Sequence, residues 1–129
     1  MITGAFLAES AEAVDHKLNV KGGVLENYTV GADREVRVVL VLLTQTQTGE
    51  TRRDVEIHLR PPPLAHPEPM TVRGHLPEEA AQGELGFAPI EIGIKLPFDG
   101  RWVIEASAGG NTVAIPLNVR QDPNMGQAE

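Results

Sequence analysis

The sequence predicts an all-β fold: one antiparallel β-sandwich, immunoglobulin-like in architecture, with seven or eight strands. Three observations point there. The stretch from Gly100 to Val119 reads as a single hairpin, because Gly109-Gly110 tolerates the positive φ of a two-residue turn. A turn centred there sets Ala106 against Val113, Ile104 against Ile115 and Trp102 against Leu117, all apolar pairs. Between Pro89 and Pro97, Ile90, Ile92, Ile94 and Leu96 share one face while Glu91, Gly93 and Lys95 share the other. Short strands with turn signals between them recur along the whole chain, as in a sandwich.

In order along the chain, residues 2–8 form a short apolar strand. Residues 9–16 read as an acidic connection or one helical turn. Lys17 to Val20 is a short strand ending at the bend signal Gly22-Gly23. Val24 to Val30 continues as a strand, and Val36 to Thr44 and Arg53 to Arg60 are the clearest early strands. The run from Arg60 to Pro69 holds five prolines and is irregular or polyproline-like, since proline cannot donate to a ladder. Met70 to Leu76 is a strand. Residues 77–82 suit a short helix, with proline in its first turn and acids near its positive end. Pro116 lacks a donor within the last strand, which predicts an edge position or a bulge there.

At 129 residues the chain has the size of one domain, assigned to 1–120, with a polar tail over 121–129. It has no cysteine, so disulfides and thiolate metal sites are out of reach. The N-terminus lacks the basic and long apolar regions of a signal peptide, and no window approaches a membrane span. A cytoplasmic location with no membrane partner is expected. Eighteen acidic residues stand against 11 basic, a net charge of −7, which repels phosphate backbones and argues against nucleic-acid binding.

One segment breaks the sandwich pattern. Val38 to Leu43 is apolar on both faces, where one face should be wet. Pairing it with the next strand through a Thr48-Gly49 loop sets Leu42 against Val55, Leu40 against Ile57 and Val38 against Leu59, a consistent core face. The other face then carries Leu43 beside Asp54, Val41 beside Glu56 and Val39 beside His58. Either the proline-rich or the 77–86 segment covers this stripe, or its residues are tolerated as isolated exposed apolar side chains, or it is a protein interface formed by self-association or a partner.

Candidate chemistry is sparse. Asp54, Glu56 and His58 share a strand face, which could suggest a carboxylate–histidine site. The alternation from Arg52 to Arg60 accounts for them as a solvated strand face. Glu9, Glu12, Asp15 and His16 form an acidic cluster whose spacing matches no calcium loop, and no histidine pair has zinc-helix spacing. Ser10 has no nucleophile-elbow context, and neither glycine pair opens a phosphate loop. No cofactor is expected. Trp102 and Tyr28 could line a ligand or sugar site, although core roles suit them better in a chain with so few aromatics.

The segments Ala5-Phe6-Leu7-Ala8-Glu9 and Lys17-Leu18-Asn19-Val20-Lys21-Gly22-Gly23 resemble the opening of a family of short, uncharacterised bacterial proteins, a domain of unknown function. In that family a "FLADxA" start leads to a "KLxVxGG" turn. Gly100-Arg101-Trp102 with Ile115-Pro116-Leu117-Asn118-Val119 is similar to its closing "GRY…xPxxV" hairpin. The resemblance implies a β-sandwich and brings no catalytic residues with it.

The function expected is therefore a non-enzymatic protein-interaction or assembly module. Its contact surface is placed at Val39, Val41 and Leu43 with Glu56 and His58. The alternative is a small-ligand or carbohydrate-binding sandwich using Trp102 and Tyr28, and a hydrolase or metal protein using the His58 face is the third reading.

Overall fold

The computed structural model describes residues 2–45, 54–63, 70–76, 84–108 and 110–122. These form ten strands and no helix: β1 (Ile2–Ala8), β2 (Ser10–Val14), β3 (Lys17–Lys21), β4 (Asn27–Val30), β5 (Glu35–Gln45), β6 (Asp54–Arg60), β7 (Met70–His75), β8 (Leu85–Lys95), β9 (Gly100–Ala108) and β10 (Asn111–Gln121). Two sheets pack face to face, one of three strands in the order β1-β5-β8 and one of five in the order β4-β10-β9-β6-β7. A separate β2–β3 hairpin completes the set. All pairings are antiparallel except β4 with β10. The chain is an all-β sandwich, with more strands than the sequence suggests. The proposed helix at 77–82 and the proline-rich residues 64–69 lie outside the described residues.

Period-two alternation builds the core. Val36, Val38, Leu40 and Leu42 of β5 face Val55, Ile57 and Leu59 of β6 and Trp102, Ile104 and Ala106 of β9 across the sandwich. The C-terminal hairpin has the expected register, with Val113 opposite Ala106, Ile115 opposite Ile104 and Leu117 opposite Trp102. Gly110 takes a φ of 84° in its turn. Residues 121–122, expected in the tail, belong to the fold: Gln121 pairs with Val30, and the Asp122 N–H donates to the Val30 carbonyl at 3.0 Å. Residues 123–129 lie outside the described ones.

Three expectations are corrected. First, β5 and β6 do not form a hairpin. β5 pairs with β1 and β8, β6 pairs with β7 and β9, and the two belong to opposite sheets. The apolar phase of each strand is as expected, but the side chains meet across the core rather than side by side. Second, residues 10–14 are strand, not a helical turn. Asp15 and His16 have φ of 52° and 61° and join β2 to β3 in a two-residue turn, in the primed geometry whose twist suits a hairpin. Third, the strand that carries Pro116 is not an edge strand along its length, because β10 lies between β4 and β9, and its pairing with β9 has no bulge; only locally, at Pro116, is one side open. The Asn118 N–H donates to the Glu26 carbonyl at 2.8 Å, so even-numbered residues of β10 turn their backbone toward β4. Pairing with β4 begins at Asn118, so the nitrogen of Pro116 points where no strand lies.

The N-terminal strand is locked at both ends. A bulge between Ile2 and Gly4 rotates Ile2 into the core, where it is fully buried opposite Thr44. The Asn111 side chain then bridges the sheets. Its Oδ1 accepts from the Ile2 N–H at 3.1 Å, and its Nδ2 donates to the Ile2 carbonyl. At the other end, the Leu25 N–H donates to the Leu7 carbonyl at 2.7 Å.

The turn between β8 and β9 is held from several directions. Arg34 Nε donates to the Leu96 carbonyl at 3.0 Å, its Nη1 lies 2.6 Å from Asp99 Oδ1, and Trp102 Nε1 donates to the Phe98 carbonyl at 2.9 Å. The hydrogen bond from Arg34, supported by the Gln121 backbone N–H and opposed by partial loss of water, holds the Asp99 carboxyl below its usual range. A depressed acid stabilises the fold fully above its unfolded value of about 3.9, and that contribution is lost as pH falls through the lower folded value. Asp99→Asn is expected to unfold at lower urea than the wild type at pH 7, with the gap closing as pH falls below about 4. Equal midpoints at pH 7 would show that this contact does not hold the turn.

Candidate functional site

Because β5 and β6 part into different sheets, the expected contact surface is split between opposite outer faces. Val39, Val41 and Leu43 lie on the outside of the three-stranded sheet, and Glu56 and His58 on the outside of the five-stranded one. The physical reason is that both edges of β5 are taken by β1 and β8, which leaves none for β6.

On the first face the stripe is graded. Val41 is fully buried and Val39 is 7% exposed, while Leu43 is 38% exposed. The two valines are therefore largely covered within the chain. The strand register sets Phe6 and Pro89 on either side of Val41, Gly4 and Phe87 beside Leu43, and Leu85 beside Gln45. Leu85 is 75% exposed. The apolar surface thus runs through Phe6, Leu43, Phe87, Pro89 and Leu85, with no charged residue among them. Only Leu43 of this set stood out in the sequence. The others arrive through pairings of distant strands, for which no local signal exists. Val39 lies at the far end, in a cleft of about 510 Å³ between β2, β5 and β8 whose lining includes Glu9, Glu35, Arg37 and Glu91.

The second face is polar and largely paired with itself. His58 Nε2 lies 3.1 Å from Glu56 Oε1, and its Nδ1 lies 3.1 Å from Thr71 Oγ1. Arg73 Nε is 3.7 Å from the same Glu56 oxygen, and Arg60 pairs with Glu105 across the strands. Exposed pairs of this kind are worth about 0–1 kcal/mol each, so they order the side chains more than they stabilise the fold. Asp54 stands opposite His75 in the β6–β7 register. Among the described residues, no three metal-ligating side chains converge. His16 is a turn residue, and His66 lies outside the described ones.

Trp102 is 1% exposed and belongs to the core, its indole N–H satisfied by the Phe98 carbonyl. Tyr28 packs against the core edge, where its hydroxyl accepts from the Arg37 N–H at 3.2 Å. Tyr28 also lines a cleft of about 500 Å³ on the outer face of the five-stranded sheet, together with residues 27–29, 100–101 and 118–120. Trp102 does not line it, so the structure does not bring the two aromatics together in one site. No helix among the described residues is long and apolar enough to cross a membrane.

The gradient across the outer face of β5 is directly testable. Val41→Glu would bury an unpaired carboxylate and is expected to cost several kcal/mol in urea unfolding. Leu43→Glu, at a partly exposed position, is expected to cost about 1 kcal/mol or less. Equal costs at the two positions would contradict the burial difference.

No protein-family model, no curated protein and no solved structure matches this chain. What the chain does is argued below from its own surfaces.

Proposed function

We propose that the protein is a non-enzymatic interaction module that self-associates through the outer face of its three-stranded sheet. The observation that carries this reading is the charge-free apolar surface of Leu43, Phe87 and Leu85, continued by Phe6 and Pro89, with Leu85 75% exposed. Contiguous apolar surface of this kind is characteristic of contact sites rather than of solvated sheet faces. A second copy is the occupant favoured. A two-fold contact places a patch against itself, and a patch without charges sets no like charges face to face.

The β8 edge of the sheet offers a poorer route. The Leu96 N–H donates to the Arg34 carbonyl at 3.1 Å, so odd-numbered residues of β8 turn their backbone to the free edge. Pro89 is one of these and interrupts that row of donors, while Glu91 and Lys95 add charge beside it. Proline and charge on an edge strand are the usual guards against strand addition. Association by the face leaves those guards in place.

Burying one leucine is worth about 1.5–3 kcal/mol, and 1.4 kcal/mol is tenfold in affinity. Sedimentation over a concentration series is expected to show a monomer–dimer equilibrium, weakened more than about tenfold by Leu43→Glu or Leu85→Glu. Because each copy carries a net charge of −7, association is expected to strengthen as salt rises from low ionic strength. A monomer throughout, unchanged by either substitution, overturns the reading.

A further inference from the structure

The arginines of the described residues fall into two groups. Arg34 holds Asp99, Arg37 holds Glu35, Arg60 holds Glu105, and Arg73 lies 3.7 Å from Glu56. Arg101 and Arg120 have no carboxylate partner among the described residues, although acids outnumber bases 18 to 11 in the chain. Both are exposed, and both line the cleft on the outer face of the five-stranded sheet.

The strand register explains why they converge. Trp102 and Val119 point into the core, so their neighbours Arg101, Asn118 and Arg120 point out. Arg101 stands opposite Asn118, and Arg120 is the next outward residue along β10. Diagonal neighbours on one sheet face lie about 7–8 Å apart, within reach of long side chains. On β4, Asn27 stands beside Asn118 and Thr29 beside Arg120. No acidic residue lines this cleft. Its β9 end is Gly100, with φ of 128°, where an added Cβ would lie 2.9 Å from Pro62 Cγ.

Two like charges held side by side without partners repel each other, and an anion between them reverses that cost. A guanidinium presents its donors as a planar fork that fits two oxygens of a phosphate at once. Two such forks match the double charge of a phosphate monoester, whereas a single carboxylate leaves one fork unfilled. We infer that this cleft binds the phosphate group of a small phosphorylated molecule. Arg101 and Arg120 carry the charge, and Asn27, Asn118 and Thr29 serve as neutral donors. The net charge of −7 disfavours a polyanion such as nucleic acid at the same place. The site lies on the sheet opposite the apolar face, so it stands or falls independently of self-association.

The test is calorimetric titration of the full chain with inorganic phosphate at low ionic strength, with acetate as the monoanion control. Nitrogen–proton NMR spectra recorded through the same titration locate the site. Saturable binding of phosphate over acetate is expected, with amide shifts confined to residues 27–29, 100–101 and 118–120. Arg101→Gln and Arg120→Gln are each expected to weaken binding about tenfold, the equivalent of roughly 1.4 kcal/mol. Arg73→Gln, an exposed arginine elsewhere on the same face, is expected to leave it unchanged. No saturable binding, equal losses in all three variants, or shifts centred elsewhere would each overturn the assignment. A nucleoside monophosphate that binds more tightly than phosphate would support a nucleotide source, and equal affinity would support the phosphate group alone.

Discussion

A strand paired along both edges has only its two faces left to give up to water, and β5 gives up most of both. Its inner face, Val36 to Leu42, is the middle of the core, and on its outer face Val41 is wholly covered and Val39 nearly so. Both edges are spent on partners distant in sequence, so the strand that follows has to cross to the other sheet. From that crossing come the order of the five-stranded sheet and the separation of the two outer faces. One face carries apolar surface around Leu43, and the other carries the charges around His58.

The two outer faces use different physics. Around His58, Glu56, Arg73, Arg60 and Glu105 neutralise one another at separations where solvent screens most of the gain. Such a surface is soluble and offers little to a partner. Around Leu43 and Phe87 the surface is mostly apolar and carries no charge, so the gain from covering it is hydrophobic and needs no exact alignment. The Arg101–Arg120 cleft is a third case, in which two arginines share one outward face with no acid in the lining. Each surface follows from which residues the strand register turns outward, and the fold is common to all three.

Much of the fold was legible because its signals are local. The pairing of Ile104 with Ile115 needed only a glycine turn and alternation on either side, and both are visible in twenty consecutive residues. The apolar phase of β5 and β6 was legible for the same reason. Their partners were not, because β1, β5 and β8 are separated in sequence by other strands, and alternation does not say which strand lies alongside. The Asp15-His16 turn was missed since neither residue is glycine, although aspartate tolerates positive φ better than most. The candidate sites suffered the same limit. Leu43 showed itself as an outward apolar residue, but Phe87 and Leu85 join it only through the β5–β8 register. Arg101 and Arg120 carry no local signal, because what brings them to one cleft is the register of β9 with β10.

The side chain of Asn111 holding both backbone groups of Ile2 ties together positions 109 residues apart in sequence. Contacts that span most of a chain close large loops, and folds dominated by them form slowly. On a ribosome, β1 emerges long before Asn111 exists, so the first strand has to wait, unsealed, for the last hairpin. The contact between Asn111 and the bulged Ile2 can form only after the last hairpin has been made. A chain that stalls before residue 111 would keep the Ile2 end of its first strand without this latch, while Phe6 and Leu7 already have their partners in β5.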